Sequence, residues 1–120
     1  MLRWGLGWFP FWAYSFFVYQ SAILPPEKIP IFFTEINDKA VHGIEYFILF
    51  LFAVHAFLGA KSSRLHSRPL LYALGWCLLM GMATEISQAF VPGRTASFLD
   101  WAADVAGGLL AMFLYRLWKR

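Results

Sequence analysis

Four apolar segments of roughly 20 residues each leave this 120-residue chain little choice of fold. They run from Trp4 to Leu24, Ala40 to Ala60, Leu70 to Val91 and Phe98 to Leu117. Each can cross a ~30 Å hydrocarbon core, where backbone polar groups must be satisfied internally and helices are the simplest solution. The expected fold is an all-α membrane protein: one domain over residues 1–120, built as a compact bundle of four transmembrane helices. Pro10 reads as a kink or boundary in the first segment. A cleaved signal peptide is the competing reading of that segment, but it is long, aromatic and lacks a small-x-small cleavage site.

Hydrophobic residues make up 60% of the chain and charged residues 14%, against about 25% charged in ordinary soluble domains. Trp4, Trp8, Trp12, Trp101 and Trp118 sit near segment ends, where an interfacial aromatic belt would place them. The single cysteine, Cys77, excludes an intramolecular disulfide and a multi-cysteine metal site, and reads as a packing residue. The net charge is +3, yet the basic residues gather beside apolar segments and not along a soluble face. That distribution argues against a nucleic-acid partner.

Charge also sets the orientation. Arg3, then Lys61, Arg64 and Arg68, then Arg116, Lys119 and Arg120 share one side of a four-span topology, and that side carries no acid. All seven acidic residues fall on the other side, with Lys28, Lys39 and Arg94. The positive-inside rule then puts both termini in the cytoplasm, and the chain in a multi-pass cytoplasmic (inner) membrane. The loop from Pro25 to Asp38 holds Ile29, Ile31, Phe32, Phe33 and Ile36, so it is expected to lie in the outer interface. Pro92 and Gly93 mark a tight outer turn before the last span.

Glu45, Glu85, Asp100 and Asp104 interrupt the apolar segments, and an ionisable group in a bilayer costs about 2.5 kcal/mol or more. A rise of 1.5 Å per residue puts Glu45, Glu85 and Asp104 each about 8 or 9 Å below the outer ends of their spans. Asp100, Asp104, Gly107 and Ala111 recur on one helical face, and small residues mark the side on which another helix packs. Cys77, Gly81, Glu85 and Gln88 form a similar stripe, as do His42, Tyr46, Ala53, Ala56 and Ala60, with Glu45 beside them. The outer half of the bundle therefore holds an acid-rich pocket. Its carboxylates outnumber Lys39 and Arg94, so some must be protonated or share a divalent cation. Oxygen-rich ligands suit Ca²⁺ or Mg²⁺, with Glu45, Glu85, Asp100 and Asp104 as the candidate ligands.

The candidate catalytic residues are His42, Glu85, Asp100, Asp104 and Arg94. Lys39, Arg94, Gln88 and Tyr46 are the candidate substrate contacts. Asp100 and Arg94 read equally as an ion pair pinning the outer loop or as a carboxylate aiming a phosphate-binding guanidinium. His55 and His66 read as satisfied interfacial residues, Asp38 as a helix N-cap, and Glu27, Lys28 and Glu35 as solvated or headgroup-facing charges.

Asp38-Lys39 with His42 and Tyr46, then Glu85-x-x-Gln88 followed by Phe90-Val91-Pro92-Gly93-Arg94-Thr95, with Asp100 and the glycines near Gly107, resemble the VanZ-like family of small bacterial membrane proteins. The resemblance spans Asp38 to Ala111. It departs at Asp104, where the family usually has Asn, and at Ala111, where it usually has Gly; the first change adds a negative charge. The resemblance implies a four-helix membrane domain related to teicoplanin resistance. The family is also similar to a wider group proposed to act on lipid headgroups. The leading expectation is a membrane-embedded hydrolase or transferase whose partner is a lipid or lipid-linked headgroup bearing phosphate. A non-catalytic binder of lipid or glycopeptide conferring antibiotic resistance comes second. An ion-coupled transporter comes third, because the inner half offers no acid and only His55 as a relay.

Overall fold

A computed structural model describes residues 2–28, 38–94 and 96–119, and the side chains of all these except residues 2–6, 26 and 38. The expectations for Ile29, Ile31, Phe32, Phe33, Glu35 and Ile36, and for the side chain of Asp38, lie outside the described residues. The chain folds into α1 (Leu2–Ala22), a 3-10 turn at Pro26–Lys28, α2 (Asp38–Leu58), the short α3 (Ser63–Ser67), α4 (Pro69–Gln88) and α5 (Phe98–Trp118). No strand occurs among the described residues.

Local chemistry sets most of the boundaries. Pro69 opens α4 at a position where its missing N–H costs nothing. That helix ends three residues short of Val91 because the chain tightens into successive turns: Phe90 N to Ser87 O at 3.1 Å, Val91 N to Gln88 O at 3.0 Å and Arg94 N to Val91 O at 3.0 Å. Gly93 completes the reversal at φ 83°, a left-handed conformation that suits glycine. Ser97 then starts α5, its hydroxyl accepting from Leu99 N at 3.1 Å and Asp100 N at 3.4 Å. Pro10 does not act as a boundary, since α1 runs on through it. The basic loop after α2 contains α3, which the sequence reading did not foresee; Ser62 caps it.

Among the described residues, three helices are long and apolar enough to cross a membrane: Lys39–Leu58 within α2, Pro69–Gln88 and Phe98–Trp118. At 21 residues α1 is as long, but Trp, Tyr, Ser, Gly and Pro lower its hydropathy. It packs on α2 and α4 through an aromatic cluster in which Phe11 lies 5.4 Å from Trp8, 5.6 Å from Phe57 and 5.1 Å from Trp76, centroid to centroid. Hydrogen bonds stitch the same contact: Trp76 Nε1 donates to Ser15 Oγ at 3.0 Å, and Tyr19 and Ser87 share one at 2.8 Å. Large apolar side chains such as Phe16, Leu79, Ile86 and Phe113 face outward, while Ser15, Thr84, Glu85, Gln88, Asp100 and Asp104 are buried. Apolar outside and polar inside is the pattern of a protein solvated by lipid.

The most extensive helix contact is between α2 and α5. It is close because glycine meets glycine. A Cβ on Gly107 would overlap the Gly43 carbonyl oxygen and lie 2.9 Å from its carbon and 3.0 Å from Gly43 Cα. A methyl there has only backbone to displace, so Gly107→Ala is expected to destabilise the fold by about 1–3 kcal/mol, the usual cost of overpacking. Gly75→Ala, where nothing lies within 4 Å of the new methyl, serves as the control. Thermal unfolding in detergent should separate the two variants; equal midpoints would mean that α2 and α5 do not meet at Gly43.

Candidate functional site

The α2–α5 contact is parallel, and its register puts polar residues opposite one another. Lys39 Nζ lies 2.5 Å from Asp100 Oδ1. One turn deeper, His42 Nδ1 and Asp104 Oδ1 are 2.7 Å apart, and Gly43 against Gly107 closes the sequence below them. Lys39 and His42 are three residues apart on α2, and Asp100 and Asp104 four apart on α5, so each pair occupies one face of its helix. Facing a carboxylate, Nδ1 of His42 is the ring nitrogen expected to carry the hydrogen and donate it. The other ring nitrogen, Nε2, is turned toward Asp100, 3.8 Å from its Oδ2. Asp104 is 0% exposed and the His42 side chain only 12%, so the imidazole is held in one orientation by a carboxylate beneath it.

The third helix contributes Glu85. Its Oε2 accepts the backbone N–H of Ser97 at 2.7 Å, which satisfies an amide at the start of α5 and places negative charge at the favourable end of that helix. Its Oε1 is buried with no hydrogen-bond partner among the described residues, as are Asp104 Oδ2, Gln88 Oε1 and Trp101 Nε1. His42, Glu85 and Asp100 each offer one ligand atom, all within 4.8 Å of one another. Three helices thus bring a nitrogen and two carboxylates to one point.

Other expected members stand elsewhere. Glu45 Oε2 accepts from Ser21 Oγ of α1 at 3.3 Å, because three residues of helix turn it about 60° away from the face of His42. Arg94 does not pair with Asp100: its Nη1 donates to the carbonyl of Leu24 at 2.7 Å and ties the turn between α4 and α5 to the chain leaving α1. Tyr46 is a core residue 1% exposed, with its hydroxyl 3.2 Å from Thr84 Oγ1. Gln88 is also 1% exposed. Trp101, read from the sequence as part of the interfacial belt, directs Nε1 inward. Its place next to Asp100 on the apolar helix was the available signal, and an indole gives no sequence-level cue to its direction.

Two apolar grooves reach this cluster from the sides. A 620 Å³ cleft between the C-terminal end of α4 and the start of α5 is lined by Ile86, Phe90, Phe98 and Trp101, with Glu85 and Ser97 in its wall. A 380 Å³ groove between α2 and α5 is lined by Ile44, Phe47, Gly107 and Leu110, with Lys39 at its polar end. Each groove offers one ionisable side chain amid hydrocarbon.

The family model described as VanZ/LLP1 matches residues 5–119, and the chain belongs to the VanZ/LLP1 family. No curated protein matches the chain, and no solved structure does.

The Asp104–His42 pair has a spectroscopic consequence. With His55 and His66 replaced, ¹⁵N spectra of His42 are expected to show hydrogen on Nδ1 and none on Nε2. Asp104→Asn should reverse this, because the amide can donate to the ring and stabilise the other tautomer. A spectrum unchanged by Asp104→Asn would mean that Asp104 does not orient the ring.

Proposed function

We propose that this chain crosses the membrane four times, with both termini cytoplasmic, and acts in the outer leaflet on a phosphate-bearing lipid headgroup by hydrolysis or headgroup transfer. The carrying observation is the junction of a buried polar cluster with two lateral apolar grooves. An amphiphile suits that junction: its chains lie in the grooves and its headgroup reaches the polar residues without crossing the bundle. A soluble metabolite would have no use for walls of Ile, Phe and Leu.

Four spans are supported by the length of α1, about 31 Å at 1.5 Å per residue, and by its packing on α2 and α4. The parallel pairing of α2 with α5 agrees with an alternating path in which α4 returns between them. Lys39, with a side chain 46% exposed at the rim, is the cation best placed to meet a phosphate, and Arg94 serves the outer turn instead. In hydrolysis the oxygen of water attacks phosphorus and the bond from phosphorus to the leaving oxygen breaks. The proton lost by water passes to the leaving alcohol. Transfer replaces water with a second alcohol. In either route the imidazole nitrogen that Asp104 orients would take that proton, or would hold an ion able to acidify the attacking oxygen.

Comparison of membrane lipids with and without the protein is expected to reveal a headgroup-specific change that His42→Ala abolishes at equal levels of inserted protein. Persistence of the change in His42→Ala removes the imidazole from the chemistry. A lipid that co-purifies with wild type and His42→Ala alike, with no conversion by either, would make the protein a binder.

Topology has its own check in a Cys77→Ala background. Ser97→Cys should react with an impermeant thiol reagent on intact cells and Ser63→Cys should not. Labelling of Ser63→Cys from outside would invert the arrangement and remove the site from the outer leaflet.

A further inference from the structure

We propose that His42, Glu85 and Asp100 bind one divalent first-row metal ion, Zn²⁺ or Mn²⁺, with Asp104 orienting the histidine ligand. The ion's binding stands whether or not a lipid headgroup is the substrate.

Distances come first. His42 Nε2 and Asp100 Oδ2 are 3.8 Å apart, too far for a hydrogen bond. Two ligands at about 2.0–2.2 Å from a shared ion stand roughly 3 to 4.4 Å apart, depending on the angle between them. The three ligand atoms lie within 4.8 Å of one another, so a small inward movement of side chains completes the set. They come from α2, α4 and α5, whose mutual packing fixes them.

The unpartnered oxygen is independent of that geometry. Glu85 is 8% exposed; Oε2 is occupied by the Ser97 amide while Oε1 is buried without a hydrogen-bond partner among the described residues. A buried carboxylate oxygen in that condition calls for a cation or a donor. Asp100 divides its oxygens in a compatible way, with Oδ1 on Lys39 and Oδ2 toward His42. Among the described residues, Glu85, Asp100 and Asp104 bring three carboxylates to a space where Lys39 brings an ammonium, and a divalent ion would offset their excess.

The donor set decides the metal. An all-oxygen group of Glu45, Glu85, Asp100 and Asp104 would have suited Ca²⁺ or Mg²⁺. In the structure Glu45 turns to Ser21 and Asp104 to the imidazole, and a ring nitrogen joins two carboxylates. The imidazole of such a mixed set favours Zn²⁺, and its two carboxylates also accommodate Mn²⁺. A carboxylate on the far ring nitrogen is the usual support of a metal-bound histidine. Three protein ligands leave positions open for water or a phosphate oxygen.

The test uses full-length protein in detergent, stripped with chelator and titrated with Zn²⁺ alone. One Zn²⁺ per chain is expected, with no displacement by an equal concentration of Ca²⁺. Asp104→Asn should weaken binding by about 10–100-fold, the usual effect of losing the support of a histidine ligand; Glu85→Gln and Asp100→Asn should weaken it at least as much. His66→Ala, at the opposite end of the bundle, should bind as wild type. Wild type loaded with Mn²⁺ gives a readout that needs no variant: pulsed EPR should show hyperfine coupling to one imidazole nitrogen. Absence of stoichiometric Zn²⁺, full affinity in both Glu85→Gln and Asp100→Asn, or no nitrogen coupling would each overturn the site. Stoichiometric metal with no change in lipids would keep the ion and remove the headgroup reading.

Discussion

Everything at the polar end of this bundle depends on how near α2 and α5 approach at Gly43 and Gly107. Lipid tails are as apolar as leucine side chains, so helices in a membrane gain little from hydrophobic burial against each other and must gain from close contact and polar pairing. The two glycines supply the first and fix the second. With the backbones touching, short side chains one turn above can bridge the helices: an aspartate reaches a histidine at 2.7 Å, and the next aspartate reaches a lysine. A bulkier residue at 107, where even a Cβ overlaps the Gly43 backbone, would push these pairs apart and leave carboxylates buried alone, a far costlier state.

The charges also suit the ends of their helices. Asp100 lies in the first turn of α5, and Glu85 accepts an amide at the same N-terminus. Both therefore occupy the positive end of that helix dipole. Lys39 in the first turn of α2 is the opposite case, a cation at an end that disfavours it, and Asp100 compensates. The arrangement is thus asymmetric: α5 supplies a field that welcomes anions, and α2 supplies the groups that keep them in register.

Much of this was legible in the sequence, and for identifiable reasons. The stripe Asp100, Asp104, Gly107, Ala111 is buried throughout, and so is Cys77, Gly81, Glu85, Gln88, because a 3.6-residue period and small side chains name the packed face directly. What the period cannot resolve is direction within about 60°, which is why Glu45 was grouped with His42 although it faces α1. Nor can spacing foresee a partner 70 residues away, as for Arg94 and the Leu24 carbonyl. The Glu85 contact with a backbone amide was equally hidden, since it depends on the path of the turn from Gly93 to Ser97. Tyr46 and Gln88 lie on the expected face but deeper in the packing than a substrate contact requires.

That turn is anchored at both of its ends, and the two anchors belong to different parts of the molecule. At one end the Arg94 guanidinium grips the chain just beyond α1; at the other the Ser97 amide grips Glu85. Only two residues separate the anchors. The first helix is therefore linked, through these two contacts, to a carboxylate in the wall of the cluster. A force that tilted α1, whether from membrane thickness, lateral tension or a neighbouring protein, would draw on Arg94 and move the Ser97 amide relative to Glu85.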